Sequence, residues 1–366
     1  MKYCIILGTR PEIIKLSPII RDLDNRSISN FVIHTNQHYN KDMDEIFFKE
    51  LNLNPPKYNL NIGSGSHGEQ TGKMMIAIEQ ILKQELPNYI LVQGDTNTVI
   101  AGAMAAAKEL DIKIGHVEAG LRSYDRSMPE EINRVIADHI SDFLFAPTKT
   151  EQAILIQEGI PRHQIHVVGN TIVDAVFQNI EIAKSKVDIL KSYSLNDHDY
   201  FVLTLHRPAN VDTKNSLVGL MDIINEMGKE NGKPIIFPCH PRTKKRLEEF
   251  SVKVGEHVRL IEPIGYLDML QLLAHAKLIF TDSGGLQEEA CILKIPCITL
   301  RENTERPDTV DIGGNILAGS NPDRIRAATK EILERTINWY NPFGDGTTGK
   351  KIVDILQKPD NGHTHS

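Results

Sequence analysis

Short apolar runs rich in β-branched residues recur along this chain, and each one ends in a glycine, proline or polar cluster that opens into a helical pattern. Such runs occupy residues 2–7 (KYCIIL), 31–35 (FVIHT), 89–93 (YILVQ), 112–117 (IKIGHV), 143–147 (FLFAP) and 165–168 (IHVV). After a polar stretch the alternation restarts at 200–205 (YFVLTL), 234–238 (PIIFP), 257–261, 277–281 (KLIFT) and 296–300 (PCITL). A strand that is apolar on both sides must be covered on both sides, and strands separated by helices pair in parallel through helical crossovers. The chain's 366 residues are too many for one comfortable core. The expectation is an α/β protein of two Rossmann-like, doubly wound parallel-sheet domains facing a cleft, residues 1–170 and 171–340. Two final helices are expected over 322–340 and 346–357.

In open sheets of this kind, ligands bind outside the carboxyl ends of the strands, so the polar clusters there are the candidates. The densest is 113–134 (KIGHVEAGLRSYDRSMPEEINR). Glu118 stands just past its strand, and Glu131 falls in the first turn of a helix that Ser127 and Glu130 are expected to open as a capping box. Glu130 answers the helix dipole there. Glu118 caps nothing and is read as functional, and Asp95, after 89–93, joins it on the same edge. At 8–12 (GTRPE) a strand turns into a helix with Pro11 in its first turn. Its amides, with Arg10 and Lys15 near, can hold an anion or simply make a plain turn. In the second half His206 follows the first strand and His240 the second. Ser283-Gly284-Gly285 opens a helix after the fourth, where glycines admit close approach by a phosphate. Gly63, Gly65 and Gly68 match the dinucleotide fingerprint, but that motif belongs in the first strand-to-helix turn of a domain. Pro55 and Pro56 also make the preceding run a poor central strand. The segment is read as a flexible glycine loop over a site.

A net charge of −7 with no long basic block argues against nucleic acid as a partner. The four cysteines form no C-x-x-C pair and lie mostly in apolar runs, as reduced buried thiols do. No stretch approaches ~18 uninterrupted apolar residues and no signal-peptide pattern opens the chain, so a soluble, cytoplasmic protein with no membrane partner is expected. No metal set, nucleophile elbow or Walker loop is present, and the two histidines of the tail PDNGHTHS do not make a metal set. The residues by themselves reach a nucleotide or phosphorylated ligand held between two domains, with acid–base chemistry on the part that faces the acids.

The motifs GTRPE at 8–12, QGDT at 93–96, HVEAGLRS at 116–123, PEEINR at 129–134, GNT at 169–171, HR at 206–207, CHPR at 239–242, DSGGLQEEA at 282–290 and TERPDTV at 304–310 run in order along nearly the whole chain. Together they resemble the non-hydrolysing UDP-N-acetylglucosamine 2-epimerases. The resemblance implies a GT-B-like domain pair, a helix within 341–358 that packs back on the first domain, a loose tail over 359–366, and a homodimer. It implies interconversion of UDP-N-acetylglucosamine and UDP-N-acetylmannosamine without a cofactor, serving polysaccharide biosynthesis. By position it makes Asp95, Glu118, Glu131 and His206 catalytic. Arg10, Lys15, Arg134, Ser283, Gly284, Gly285, Glu289 and Arg306 become substrate-binding. Gln37, His38, Gln70 and His240 fall where bacterial members bind a second, activating UDP-N-acetylglucosamine. The alternatives are a hydrolysing 2-epimerase that releases free N-acetylmannosamine and UDP, a catalytically silent UDP-sugar sensor, and a retaining glycosyltransferase, which shares the fold but needs an acceptor.

Overall fold

In the computed structural model, which describes residues 1–36, 41–109, 111–186 and 188–358, and of 41–45 the backbone alone, the apolar runs become the parallel strands of two sheets. One unit comprises Met1–Ala175 with Phe343–Ser366, the other Val176–Pro342. In the first, β1 (Tyr3–Leu7), β2 (Asn30–His34), β3 (Tyr58–Asn59), β4 (Tyr89–Gln93), β5 (Lys113–Val117), β6 (Phe143–Ala146) and β7 (Ile165–Val167) are ordered β3-β2-β1-β4-β5-β6-β7. In the second, β8 (Phe201–Thr204), β9 (Ile235–Pro238), β10 (Val258–Ile261), β11 (Leu278–Thr281), β12 (Cys297–Thr299) and β13 (Asn315–Leu317) are ordered β10-β9-β8-β11-β12-β13. Both sheets are doubly wound, as the alternation predicts. Strand order reverses between β1 and β4 in one and between β8 and β11 in the other, and a reversal leaves a crevice outside the strands' carboxyl ends.

Burial explains the strand composition. Tyr3 to Leu7 are all buried, so β1 carries no polar alternation. The helix Asn97–Ala106 is built of small residues and lies directly on the sheet: a Cβ on Gly102 would stand 3.0 Å from Ile6 Cδ1 and 3.2 Å from Val92 Cγ1. The second sheet buries Phe201, Leu203, Phe237 and Phe280 on one face and Tyr200, Val202, Ile236 and Ile279 on the other. All four cysteines are buried free thiols. The last helix, Thr348–Leu356, lies against Arg10–Asn25, close enough that a Cβ on Gly349 would meet the Pro18 carbonyl carbon at 3.0 Å. Arg26 and Asp354 pair across the two helices at 2.6 Å, and Asp174 accepts the Gly349 amide at 2.8 Å.

The structure adds two strands to the sequence reading and corrects two expectations. The edge strands β3 and β13 were not anticipated, because two or three residues carry too little pattern. The helix expected over 322–340 ends at Glu334; beyond it the chain has no regular structure, and Trp339 donates its ring N–H to the Cys291 carbonyl at 3.1 Å. Ser127 does not cap a helix. The helix Pro129–Ile140 begins after Met128, and the Ser127 hydroxyl donates instead to Asp125 Oδ1 at 2.7 Å, since the nearer carboxylate outcompetes the helix amides. Among the described residues no helix is long and apolar enough to cross a membrane, and no group of three or more His, Cys, Asp or Glu is placed to hold a metal ion.

Candidate active site

At the switch point of the first sheet the chain fills its own anion cradle. Glu12, in the first turn of Arg10–Asn25, accepts the Gly8 amide at 2.8 Å, the Thr9 amide at 2.7 Å and the Thr9 hydroxyl at 2.9 Å. Its other oxygen accepts from Thr96 Oγ1 at 2.6 Å, so one buried carboxylate ties the loop after β1 to the loop after β4. Of the two readings of this turn, an anion site and a plain strand-to-helix turn, the structure favours the second, because Glu12 already takes the Gly8 and Thr9 amides. Gly8 is required by packing, since a Cβ there would lie 2.1 Å from Thr35 Oγ1. The Gly63–Gly68 segment follows the edge strand β3, and Ser66 within it caps His67–Glu85, accepting the Glu69 amide at 3.3 Å. Arg10 is exposed, with its guanidinium 5.6 Å from the Phe47 ring centroid.

The structure brings the three acids of the first unit onto one edge and gives each a cation. Glu118, 7% exposed, has φ of +68°, a left-handed backbone that side chains adopt at a cost and that re-aims its carboxylate. Both of its oxygens accept from Lys15 Nζ, at 2.8 and 2.7 Å, and one also accepts from Gln93 Nε2. Asp95 pairs with Arg134, which also stands 3.2 Å from Glu131. Glu131 accepts the Ser123 amide at 2.9 Å, the Ser123 hydroxyl at 2.8 Å and the Tyr124 amide at 3.0 Å, and so holds the loop that follows Glu118. The environments push the carboxyls apart. Burial lifts that of Asp95 above its usual range, against Arg134 and with help from the Glu118 charge. Burial also works on Glu131, but its hydrogen bonds and Arg134 outweigh it and hold that carboxyl low. Such divergence separates a proton acceptor from a fixed charge. Asp95 suits the former, and Glu131, already fully bonded, suits the latter.

In the second unit His206 follows β8, and its Nδ1 lies 2.9 Å from Asp282 Oδ1. Asp282, wholly buried, also accepts the His206 amide, the Arg207 amide at 2.9 Å and Asn210 Nδ2 at 3.1 Å. Burial would raise its carboxyl, but these bonds, that of His206 first, bring it below the usual range. An ionised partner on Nδ1 leaves Nε2 as the nitrogen that exchanges a proton. Ser283 precedes the helix Gly284–Ile292, and its hydroxyl makes no capping bond. A Cβ at Gly285 would meet nothing within 4 Å, and one at Gly284 only Glu305 Oε2 at 3.4 Å; neither glycine has a left-handed φ. Neither packing nor backbone geometry therefore demands glycine here, which a close-lying phosphate would. Arg301 grips Glu305 at 2.7 Å and holds its carboxyl at about 2, while Arg306 pairs with the buried Glu288 at 2.7 Å. Glu289 is buried on the same helix.

Of the residues expected to bind a second ligand, Gln37 and His38 lie outside the described residues. His240 stands beside His206, ring centroids 6.1 Å apart, in the second unit. Gln70 belongs to the first, where it donates to the Gly63 carbonyl at 2.8 Å and accepts from Asn97 at 3.1 Å. Asn133 donates to Asn97 and to the Asp95 carbonyl, so this chain of amides ends at an acid of the site. Glu12, Gln93 and Asp282 were not singled out from sequence. Each stands inside a quoted motif, and only its partners reveal a role.

A family model described as UDP-N-acetylglucosamine 2-epimerase matches residues 21–357 of this chain. A protein of Methanocaldococcus jannaschii named UDP-N-acetylglucosamine 2-epimerase is 58% identical over 97% of this chain and 99% of that one. The solved structure of the UDP-GlcNAc 2-epimerase of that organism superposes with a TM-score of 0.89 at 57% identity, covering 97% of this chain and 99% of that chain. A second structure of that enzyme, in complex with UDP-GlcNAc and UDP, gives a TM-score of 0.84 with the same coverage.

Proposed function

Because the chain belongs to the UDP-N-acetylglucosamine 2-epimerase family, we propose that it interconverts UDP-N-acetylglucosamine and UDP-N-acetylmannosamine by the non-hydrolysing route. A carboxylate of the first unit removes the proton at the second carbon of the sugar while UDP leaves from the first carbon. The 2-acetamidoglucal so formed takes UDP and a proton back on the other face. Asp95 is the acid whose surroundings favour proton transfer, and Lys15 and Arg134 keep Glu118 and Glu131 ionised and fixed. Ser283, Gly284 and Gly285 receive the diphosphate, with Arg306 and Glu289 beside them and Asp282-oriented His206 as the proton donor to the departing group. One observation carries this reading. The helix start in the first unit is filled by Glu12, whereas the start at Gly284 is uncapped and its glycines answer to no need of the fold.

The test is incubation with UDP-N-acetylglucosamine in heavy water, followed by proton NMR. Deuterium should enter the second carbon of both sugar nucleotides, with no added nicotinamide. Retention of the original hydrogen would overturn the route, and accumulation of free N-acetylmannosamine with UDP would favour hydrolysis. Family membership also supports a homodimer in solution, which light scattering checks, and a role in supplying aminosugar nucleotides for polysaccharide.

A further inference from the structure

We propose that His116 is a positioning residue: a charged imidazolium, buried in β5, that ties the loop carrying Asp95 to the helix carrying Glu131. The inference rests on the reading above, in which Asp95 transfers a proton. His116 is 0% exposed. Its Nε2 lies 2.8 Å from the Gly94 carbonyl oxygen, and a carbonyl has no proton to give, so Nε2 donates. Its Nδ1 lies 2.7 Å from Asp138 Oδ1. Asp138 is itself kept ionised, since its other oxygen pairs with Arg122 at 2.7 Å and accepts the Gly120 amide at 3.2 Å. Nδ1 therefore donates as well, and a ring that donates from both nitrogens is an imidazolium. Burial opposes that charge, but the Asp138 carboxylate, the Gly94 carbonyl and the more distant Asp95 outweigh it and raise the ring's titration.

The charged groups facing the ring alternate in sign. From His116 the chain passes to Asp138 on Pro129–Ile140, to Arg122 after β5, and to Glu158, which Arg122 holds at 2.5 Å. Two cations balance two anions, with only Glu158 of the four part-exposed, and a neutral His116 would leave the set one positive charge short. The mechanical consequence falls on Asp95. Gly94 has φ of +81°, its amide donates to the Val117 carbonyl at 3.1 Å and its carbonyl accepts from His116, so the residue before Asp95 is pinned at both ends. Gly120, held by Asp138, has φ of +87° and no room for a side chain: a Cβ would stand 2.8 Å from the Glu151 carbonyl oxygen. One imidazolium thus fixes the turns on which Asp95 and Glu118 stand, and its charge opposes the rise that burial imposes on the Asp95 carboxyl.

The test uses the full chain. Ring-nitrogen NMR of histidine-labelled wild type at about pH 6.5, where an ordinary histidine is half deprotonated, with the His116 signal identified by its loss in His116→Gln, should show both nitrogens protonated. His116→Gln keeps one donor toward Gly94 without charge. Its kcat for UDP-N-acetylglucosamine should fall at least ~10-fold with KM within ~3-fold, and the acid limb of its kcat profile should move to higher pH. A bare ring nitrogen in the wild type overturns the proposal, as does a kcat within twofold on an unshifted profile. Should His116→Gln fail to fold, Asp138→Asn replaces it. The His116 ring must then lose a proton at lower pH than in the wild type, and an unmoved ring overturns the proposal. A wild type with no activity on UDP-N-acetylglucosamine defeats the proposed function instead, and the nitrogen spectrum still decides whether His116 carries the charge.

Discussion

Lys15 is assigned to substrate by resemblance and to Glu118 by geometry, and replacing it with methionine separates the two. Lys15→Met keeps the aliphatic stem and removes the ammonium. In the wild type that ammonium bonds both oxygens of a carboxylate, and the two side chains are only 13% and 5% exposed. Removing one partner of a buried pair strands the other charge, at a cost of roughly 3–5 kcal/mol. The part-exposure of Lys15 and the remaining Gln93 bond place this case at the lower end, about 3 kcal/mol. In a unit the size of Met1–Ala175 with Phe343–Ser366, each kcal/mol moves the midpoint by roughly 2–4 °C, so Tm should fall by about 6–12 °C. Glu118→Gln added to Lys15→Met should recover part of the loss, because the stranded charge is gone. Differential scanning calorimetry reads both, and titration calorimetry with UDP should find the affinity of Lys15→Met within ~3-fold of wild type. A stable Lys15→Met with UDP affinity reduced ~100-fold would refute the reasoning and return Lys15 to the diphosphate.

Asp95→Asn keeps size and loses basicity, so turnover should drop at least ~100-fold while UDP affinity stays within a few-fold; a lowered Tm with intact turnover would make Asp95 a loop residue instead. Gly285→Val meets open space, so melting should hold within ~2 °C while UDP affinity by calorimetry falls at least ~10-fold; unchanged affinity would move the cradle elsewhere. Glu131 has a folded carboxyl held below its ordinary 4.5, so its contribution is complete above that value and is lost as pH falls through the lowered one. The stability gap between wild type and Glu131→Gln should accordingly be constant near pH 7 and close on acidification, as melts from pH 7 to 3 would show. For His116, raised in the fold, the sign reverses: the gap to His116→Gln is full below about pH 6.5 and narrows as pH rises through the raised value.

Much of the architecture is local in origin and was therefore legible. Both-face burial writes itself into runs such as Tyr3–Leu7 and Phe201–Thr204, and the helix between each pair of strands forces parallel crossovers. That alternation determined two doubly wound sheets, and with them the prediction that polar residues after β1, β4, β5, β8 and β11 gather outside the strands' carboxyl ends. That Gly284 and Gly285 open a helix was readable for the same reason, since a glycine turn into a helix is a local pattern.

What sequence alone left undecided is which group answers which. Nothing in the spacing of residues 12 and 96 says that Glu12 fills its own cradle. Nor does it say that Ser127 prefers Asp125 to a helix end, or that residues 116, 122, 138 and 158 form one alternating charge set. Apart from the local, exposed contact of Ser127 with Asp125, these pairings join strands and helices far apart in the chain, and the buried ones are chosen by competition among donors and acceptors once burial has removed water as the alternative partner. The strands' apolar patterning is set residue by residue. The protonation and role of Asp95, Glu118, Glu131 and His116 are set by neighbours that only the tertiary structure supplies.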